Sequence, residues 1–211
     1  MKRLQTDHIE IYFMHHIDRN VTWDEMWGAM EILVQQGKVD YIASSNFAGW
    51  NIAQAQAEAK ARHFLGLVCE EHKYNLMCRL PELEVLPSAK NHGVGLVAYG
   101  PLQHGMLSRN ALKETNDARL NGMKLGIEKQ RSQLEAFSKL CRELGEYEDN
   151  IALAWILANP NVTAPIIGPA TAEHLEDALH SLDIVLDEEV MKKLDEIFPG
   201  PGGIAPEAYA W

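Results

Sequence analysis

Five short apolar runs, each rich in β-branched or aromatic residues, alternate along this chain with segments of helical periodicity. That alternation restricts the possible folds more than any other feature. The runs are HIEIYFMHH (8–16), VDYIASSN (39–46), LGLVCEEHKYN (65–75), VGLVAYGPL (94–102) and VTAPIIGPA (162–170). Between the first two, Trp23, Met26, Trp27, Met30, Leu33 and Val34 recur at helical spacing over 22–38. Thr22 and Glu25 form a capping box before that helix, and Gly37 supplies a stop. Further helices are predicted over 51–63, 81–93 (interrupted near Pro87), 128–145, 149–160, 172–182 and 187–198. Residues 103–127 read as a long polar loop and 199–211 as an extended tail. Strands this apolar are buried on both faces, which implies a parallel α/β sheet with helices packed outside it. Two architectures fit, an open doubly wound sheet and part of a (β/α)8 barrel. A complete barrel needs eight units and roughly 250 residues, whereas this chain has five in 211 residues, a length that fits one large domain or two small ones. Periodicity leaves both open.

Charge and composition exclude several functions. A net charge of −11 and a pI near 5.2 argue against a nucleic-acid partner. The absence of an apolar run near 20 residues argues against a membrane span, and the polar start MKRLQTDHIE is unlike a signal peptide. Cys69, Cys78 and Cys141 are odd in number and widely spaced, as expected for reduced thiols in a cytoplasmic protein. No G-x-S-x-G, H-E-x-x-H, P-loop or G-x-G-x-x-G pattern occurs. His15, His16 and Asp18 invite a metal, but adjacent strand residues point to opposite faces, so no metal site is expected.

In either architecture, binding residues gather where strands end. The five ends carry His15-His16 with Asp18; Ser44-Ser45-Asn46; Glu70-Glu71-His72 with Tyr74; Tyr99-Gly100-Pro101-Leu102; and Ile167-Gly168-Pro169-Ala170-Thr171. Each has an ordinary alternative. A lone histidine is usually a satisfied polar group, Ser-Ser-Asn can cap a helix, Tyr99 can be core, and Glu70-Glu71 can be a solvated strand end. Together, five polar or glycine-bearing ends on one face favour a ligand mouth.

Four segments in order, RLQTDHIEIYFMHHID, LVQQGKVDYIASSNFAGW, VGLVAYGPL and VTAPIIGPATAEHLEDAL, resemble the aldo-keto reductase superfamily. The resemblance covers nearly all 211 residues and implies a partial (β/α)8 TIM barrel, matched from its fourth strand onward with the first three units missing. It implies a single domain over 1–211 that binds NADP(H) and reduces aldehyde or ketone carbonyls. His15 matches the histidine that orients the substrate carbonyl. Ser45 and Asn46 match the pair that holds the nicotinamide carboxamide, and Tyr99 matches the aromatic that stacks on the nicotinamide. Gly100, Pro101, Leu102 and Gly105 lie where the family wraps the pyrophosphate, and Ile167, Gly168, Ala170 and Thr171 where it holds the adenosine 2′-phosphate. Three positions depart from the pattern. Glu71 replaces a glutamine that contacts the carboxamide, Ala170 replaces an arginine, and His174 replaces a glutamine near the adenosine. Loss of the arginine removes a charge-assisted phosphate contact and weakens NADP(H) binding. The family's proton-donating tyrosine, with its lysine and aspartate, belongs to the first three units, which no segment here matches. The alternatives to a carbonyl reductase are therefore a non-catalytic cofactor-binding or interaction protein and a folded gene fragment without function. Substrate specificity is expected on 103–127 and 199–211. Five strands would leave a barrel with open edges, so self-association or a rearranged strand order is expected.

Overall fold

The computed structural model describes residues 2–113 and 118–210. Its strands are β1 (Ile9–Met14), β2 (Val39–Ser45), β3 (Leu67–Lys73), β4 (Gly95–Tyr99) and β5 (Ala164–Pro165). Its helices are α1 (Trp23–Gln35), α2 (Gly49–Ala61), α3 (Val85–Asn91), α4 (Ala118–Gly122), α5 (Lys124–Lys129), α6 (Arg131–Leu144), α7 (Glu148–Leu157), α8 (Ala172–Leu179), α9 (Glu188–Ile197) and α10 (Glu207–Ala210). The strands form one sheet in the order β1-β2-β3-β4-β5, and β1 with β2 and β2 with β3 pair in parallel. Sequential order with helices between the strands is what part of a (β/α)8 barrel gives, whereas a doubly wound sheet reverses its order at a switch point.

The chain divides into two compact units. Unit 1 is Met1–His72, Pro81–Val97 and Ile204–Trp211; unit 2 is Lys73–Leu80 and Ala98–Gly203. In unit 1, Thr22 caps α1 by accepting from the Glu25 amide (3.2 Å), and Gly37 ends it with φ +63°. The apolar stripe of α1 buries Trp27 completely, and the Trp27 indole donates to the Ala55 carbonyl of α2 (3.1 Å). Ile42, Ala43, Phe47, Ile52 and Leu96 complete this core. Gly49 lets the start of α2 approach the Glu84 backbone, since a Cβ there would lie 2.5 Å from the Glu84 carbonyl oxygen.

In unit 2, α7 is buried from Asn150 through Ile156. That fits its nearly continuous apolar sequence and makes it the central element of the unit. Around it, Phe137 and Phe198 pack edge to face at 5.4 Å, and Tyr74 lies 5.1 Å from Trp155.

β1, expected to be buried on both faces, instead exposes Glu10, Ile11 and Tyr12. The elements themselves depart from expectation in four places. The expected loop 103–127 contains α4 and α5; residues 114–117 lie outside those described. The fifth strand keeps only two residues, one of them Pro165, which has no N–H to give the ladder; Ile166 N continues the pairing by donating to the Ala98 carbonyl (2.8 Å). Pro87 does not interrupt a helix. It sits in the first turn of α3, where the amide it lacks would have no intrahelical partner. The expected tail contains α10, and Trp211 lies outside the described residues.

Candidate functional site

In unit 1 the candidate residues meet where β2 ends. Asn46 adopts φ +60°, a left-handed conformation that asparagine tolerates better than most residues, and this turns the chain out of the strand. Its backbone N–H donates to the Glu71 carbonyl (3.0 Å). Its side-chain Nδ2 donates to Ser45 Oγ (2.9 Å) and to the His15 carbonyl (3.2 Å). His15, Ser45, Asn46 and Glu71 are thus joined by hydrogen bonds, three of the four through backbone groups or the buried Ser45 hydroxyl. An amide presented here would take over one of the Asn46 donors or meet the Ser45 hydroxyl proton.

His15 and His16 are both exposed, and their rings lie 4.3 Å apart. The expectation that the two point to opposite faces fails because β1 stops at Met14 and neither residue follows strand alternation. Among the described residues, no group of three His, Cys, Asp or Glu side chains is placed to hold a metal ion.

Beneath this turn lies a cluster that the sequence did not reveal. Glu70 is completely buried rather than a solvated strand end. Its Oε2 accepts from Ser44 Oγ (2.5 Å) and its Oε1 from the Phe47 amide (2.9 Å); His72 Nδ1 lies 2.9 Å from the same Oε1. The carboxylate ties β2, β3 and the residue after Asn46 together. Cys69, its neighbour, is also buried, and burial, reinforced by the charges of Glu70 and Glu71, pushes its thiol up to about 11.

In unit 2, one cavity of about 620 Å³ gathers Gly100, Pro101, Leu102, Gly105, Ile167, Gly168 and His174, seven of the positions singled out in the sequence. Its size suits a small ligand or part of a cofactor. Gly100 takes φ +64° and Gly105 φ +91°, so the backbone after β4 turns tightly at both. A Cβ at Gly100 or Gly168 would meet nothing within 4 Å. Tyr99 is half-buried, and its carbonyl accepts from the Tyr74 amide (3.4 Å). Tyr99, Ala170 and Thr171 are not part of the cavity lining. Ala170 is exposed, and Thr171 caps α8 by accepting from the His174 amide (3.2 Å).

The same cavity is lined by charges that the sequence did not suggest. Among its described lining residues Arg109 is the one arginine or lysine, and Asp149, Glu173 and Asp177 are carboxylates. Arg109 is already engaged. Its Nε and Nη2 grip Asp149 (2.9 and 2.7 Å), its Nη1 donates to Asp177 (2.9 Å), and its guanidinium stacks 3.6 Å over the Tyr147 ring. The Asp149 hydrogen bonds hold this guanidinium charged even more firmly than usual.

Residues 1–198 match the profile of the aldo/keto reductase family. An uncharacterized oxidoreductase of Bacillus subtilis (strain 168), YrpG, is 59% identical over all 211 residues, which cover 65% of that protein. An aldo-keto reductase of Fusarium vanettenii is 30% identical over 94% of this chain and 55% of its own length. A norsolorinic acid reductase of Aspergillus flavus is 26% identical over 94% of this chain and 50% of its own length. The chain therefore spans between half and two thirds of the length of these relatives.

Proposed function

Because the chain belongs to the aldo/keto reductase family, we propose that it serves a nicotinamide-dependent oxidoreductase acting on aldehyde or ketone carbonyls, and that its 211 residues bind the cofactor. The observation that carries this proposal is the unit 2 cavity. The two segments that the resemblance assigns to diphosphate and adenosine, 100–105 and 167–174, are more than 60 residues apart in sequence yet line one space. At Gly100 and Gly168, where a Cβ would meet nothing within 4 Å, a diphosphate can approach the main chain closely, whereas the Gly105 amide is already given to the Leu102 carbonyl (2.8 Å). The resemblance alone would make the cofactor NADP(H); which form is taken depends on the charges around the adenosine ribose.

In unit 1 we propose that Ser45 and Asn46 offer hydroxyl and amide groups to a carboxamide, with Glu71 beside them, and that His15 orients a substrate carbonyl. Tyr99 is proposed, on the resemblance, to stack on an aromatic ring. When bound, a nicotinamide cofactor would supply a hydride to a carbonyl carbon, and the carbonyl oxygen would need a proton. No segment here matches the family's proton-donating tyrosine with its lysine and aspartate. That observation favours a second reading for these residues, a cofactor-binding protein without turnover. We propose that they correspond to the family barrel from its fourth strand onward.

Loss of reduced-cofactor absorbance with a panel of aldehydes and quinones separates the two readings. Turnover that His15→Ala abolishes supports the first. Saturable binding without turnover supports the second. Turnover unchanged in His15→Ala overturns the placement of the active site, and absence of both binding and turnover removes both readings.

Self-association is proposed through the sheet edge at β1, beside which Ile11 of β1 and Tyr41 of β2 lie side by side in register, 41% and 48% exposed. Sedimentation that finds only monomer at high concentration would rule this out. Cys69, Cys78 and Cys141 are free thiols, and we propose a reducing, cytoplasmic location. No helix among the described residues is long and apolar enough to cross a membrane.

A further inference from the structure

We propose that the unit 2 cavity selects a dinucleotide whose adenosine ribose carries a free 2′-hydroxyl, NAD(H) rather than NADP(H), with Glu173 as the specificity-determining residue. The inference rests on the cofactor reading of that cavity and reverses the preference that the resemblance implies. It follows from the donor set. A 2′-phosphate is a dianion near neutral pH and needs a cation with donors to spare. Where the resemblance places an arginine, the chain has Ala170, which is exposed and outside the lining.

The cation that does line the cavity, Arg109, commits three of its five N–H donors to Asp149 and Asp177, so two carboxylates already offset its charge. Its stacking on Tyr147 fixes the plane of the guanidinium as well. Glu173, in the first turn of α8, adds a third carboxylate to the lining. The amide of His174, in the same turn, is taken by Thr171 Oγ1. One cation against three carboxylates leaves the wall net negative, with His104 and His174 the other titratable groups facing the space. A second anion meets like charge there, which discriminates by repulsion rather than by lost contacts. A ribose hydroxyl has the opposite chemistry. It donates, and a carboxylate accepts with nothing to repel it. An acidic residue accepting from the 2′-hydroxyl is the general solution for NAD in dinucleotide folds, as an arginine is for NADP.

The test uses the full chain and two fragments that lack the nicotinamide, so the unit 1 assignments do not enter. Calorimetric titration with ADP-ribose and with its 2′-phosphorylated counterpart should show the unphosphorylated fragment binding at least about tenfold more tightly at low salt. Raised salt should narrow the ratio, because the discrimination is electrostatic. Glu173→Gln, a change on an exposed helix turn, should narrow it about threefold or more while circular dichroism stays unchanged. Equal binding of the two fragments, or tighter binding of the phosphorylated one, overturns the inference. A ratio unmoved by Glu173→Gln overturns the role of Glu173. If neither fragment binds, the cofactor reading of the cavity falls and the inference with it.

Discussion

Replacing Glu70 by leucine should cost this protein about 3 kcal/mol of stability, despite the similar size of the two side chains and the complete burial of the site. Ser44 Oγ and the Phe47 amide both donate to the Glu70 carboxylate, and Ser44 and Phe47 are both fully buried, so neither donor can turn to water. A buried donor stripped of its acceptor costs about 1–3 kcal/mol, which puts the two together at about 2–6 kcal/mol. Burying leucine returns about 1–2 kcal/mol of that through apolar transfer. His72, about one fifth exposed, adds little because water can reach it. The hydroxyl share can be isolated. In a Ser44→Ala background one orphaned donor no longer exists, so Glu70→Leu should cost about 1–2 kcal/mol less than in the parent. Urea unfolding followed by tryptophan fluorescence suits the question, because Trp23 lies 6.4 Å from Phe47 in the same unit. A Glu70→Leu protein within about 0.5 kcal/mol of the parent would refute the reasoning, as would equal costs in the two backgrounds.

Three other outcomes follow from the same geometry. Cys69 is held near 11 by burial against 9.0 for an ordinary thiol, so as pH rises the unfolded chain releases this proton first; stability should fall between about pH 9 and pH 11 by up to about 3 kcal/mol, and Cys69→Ala should flatten the fall in urea midpoints. Gly105→Ala should cost about 1–2 kcal/mol, because φ is +91° and a Cβ would meet Leu120 Cδ2 at 3.0 Å, whereas Gly168→Ala, with nothing within 4 Å, should change stability by less than about 0.5 kcal/mol; thermal melts compare them directly. Ala170→Arg should favour 2′-phosphorylated ADP-ribose over ADP-ribose by about tenfold relative to the parent, and an equal effect on both would place residue 170 away from the ribose.

Much of the fold was legible because the physics that sets it is local. β1 to β4 are apolar enough to stand out, and α1 carries its cap and its stop within its own sequence. The parts that were not legible have identifiable causes. α4 and α5, of five and six residues, are too short to show a helical period, and Gly122 and Gly126 lower their propensity. β5 loses its ladder at Pro165, which composition alone does not weigh against the surrounding isoleucines. His15 and His16 lie just past the end of β1, where alternation no longer governs side-chain direction. Within the site, Glu70 and Glu71 are indistinguishable by residue type, and the register that pairs Glu70 with Ser44 makes the former the buried one. Arg109, Asp149 and Asp177 are brought together from positions 40 and 68 residues apart, a separation no local pattern can signal. With Glu173 beside them, they put a net negative wall where the sequence alone suggested a 2′-phosphate site.

The central claim, that these residues hold a nicotinamide dinucleotide, is tested most directly by titrating the full chain with NADH and following cofactor fluorescence. Saturable one-to-one binding, outcompeted by ADP-ribose, is the predicted result. No binding of NADH or NADPH at millimolar concentration, by a chain that circular dichroism shows to be folded, would contradict it.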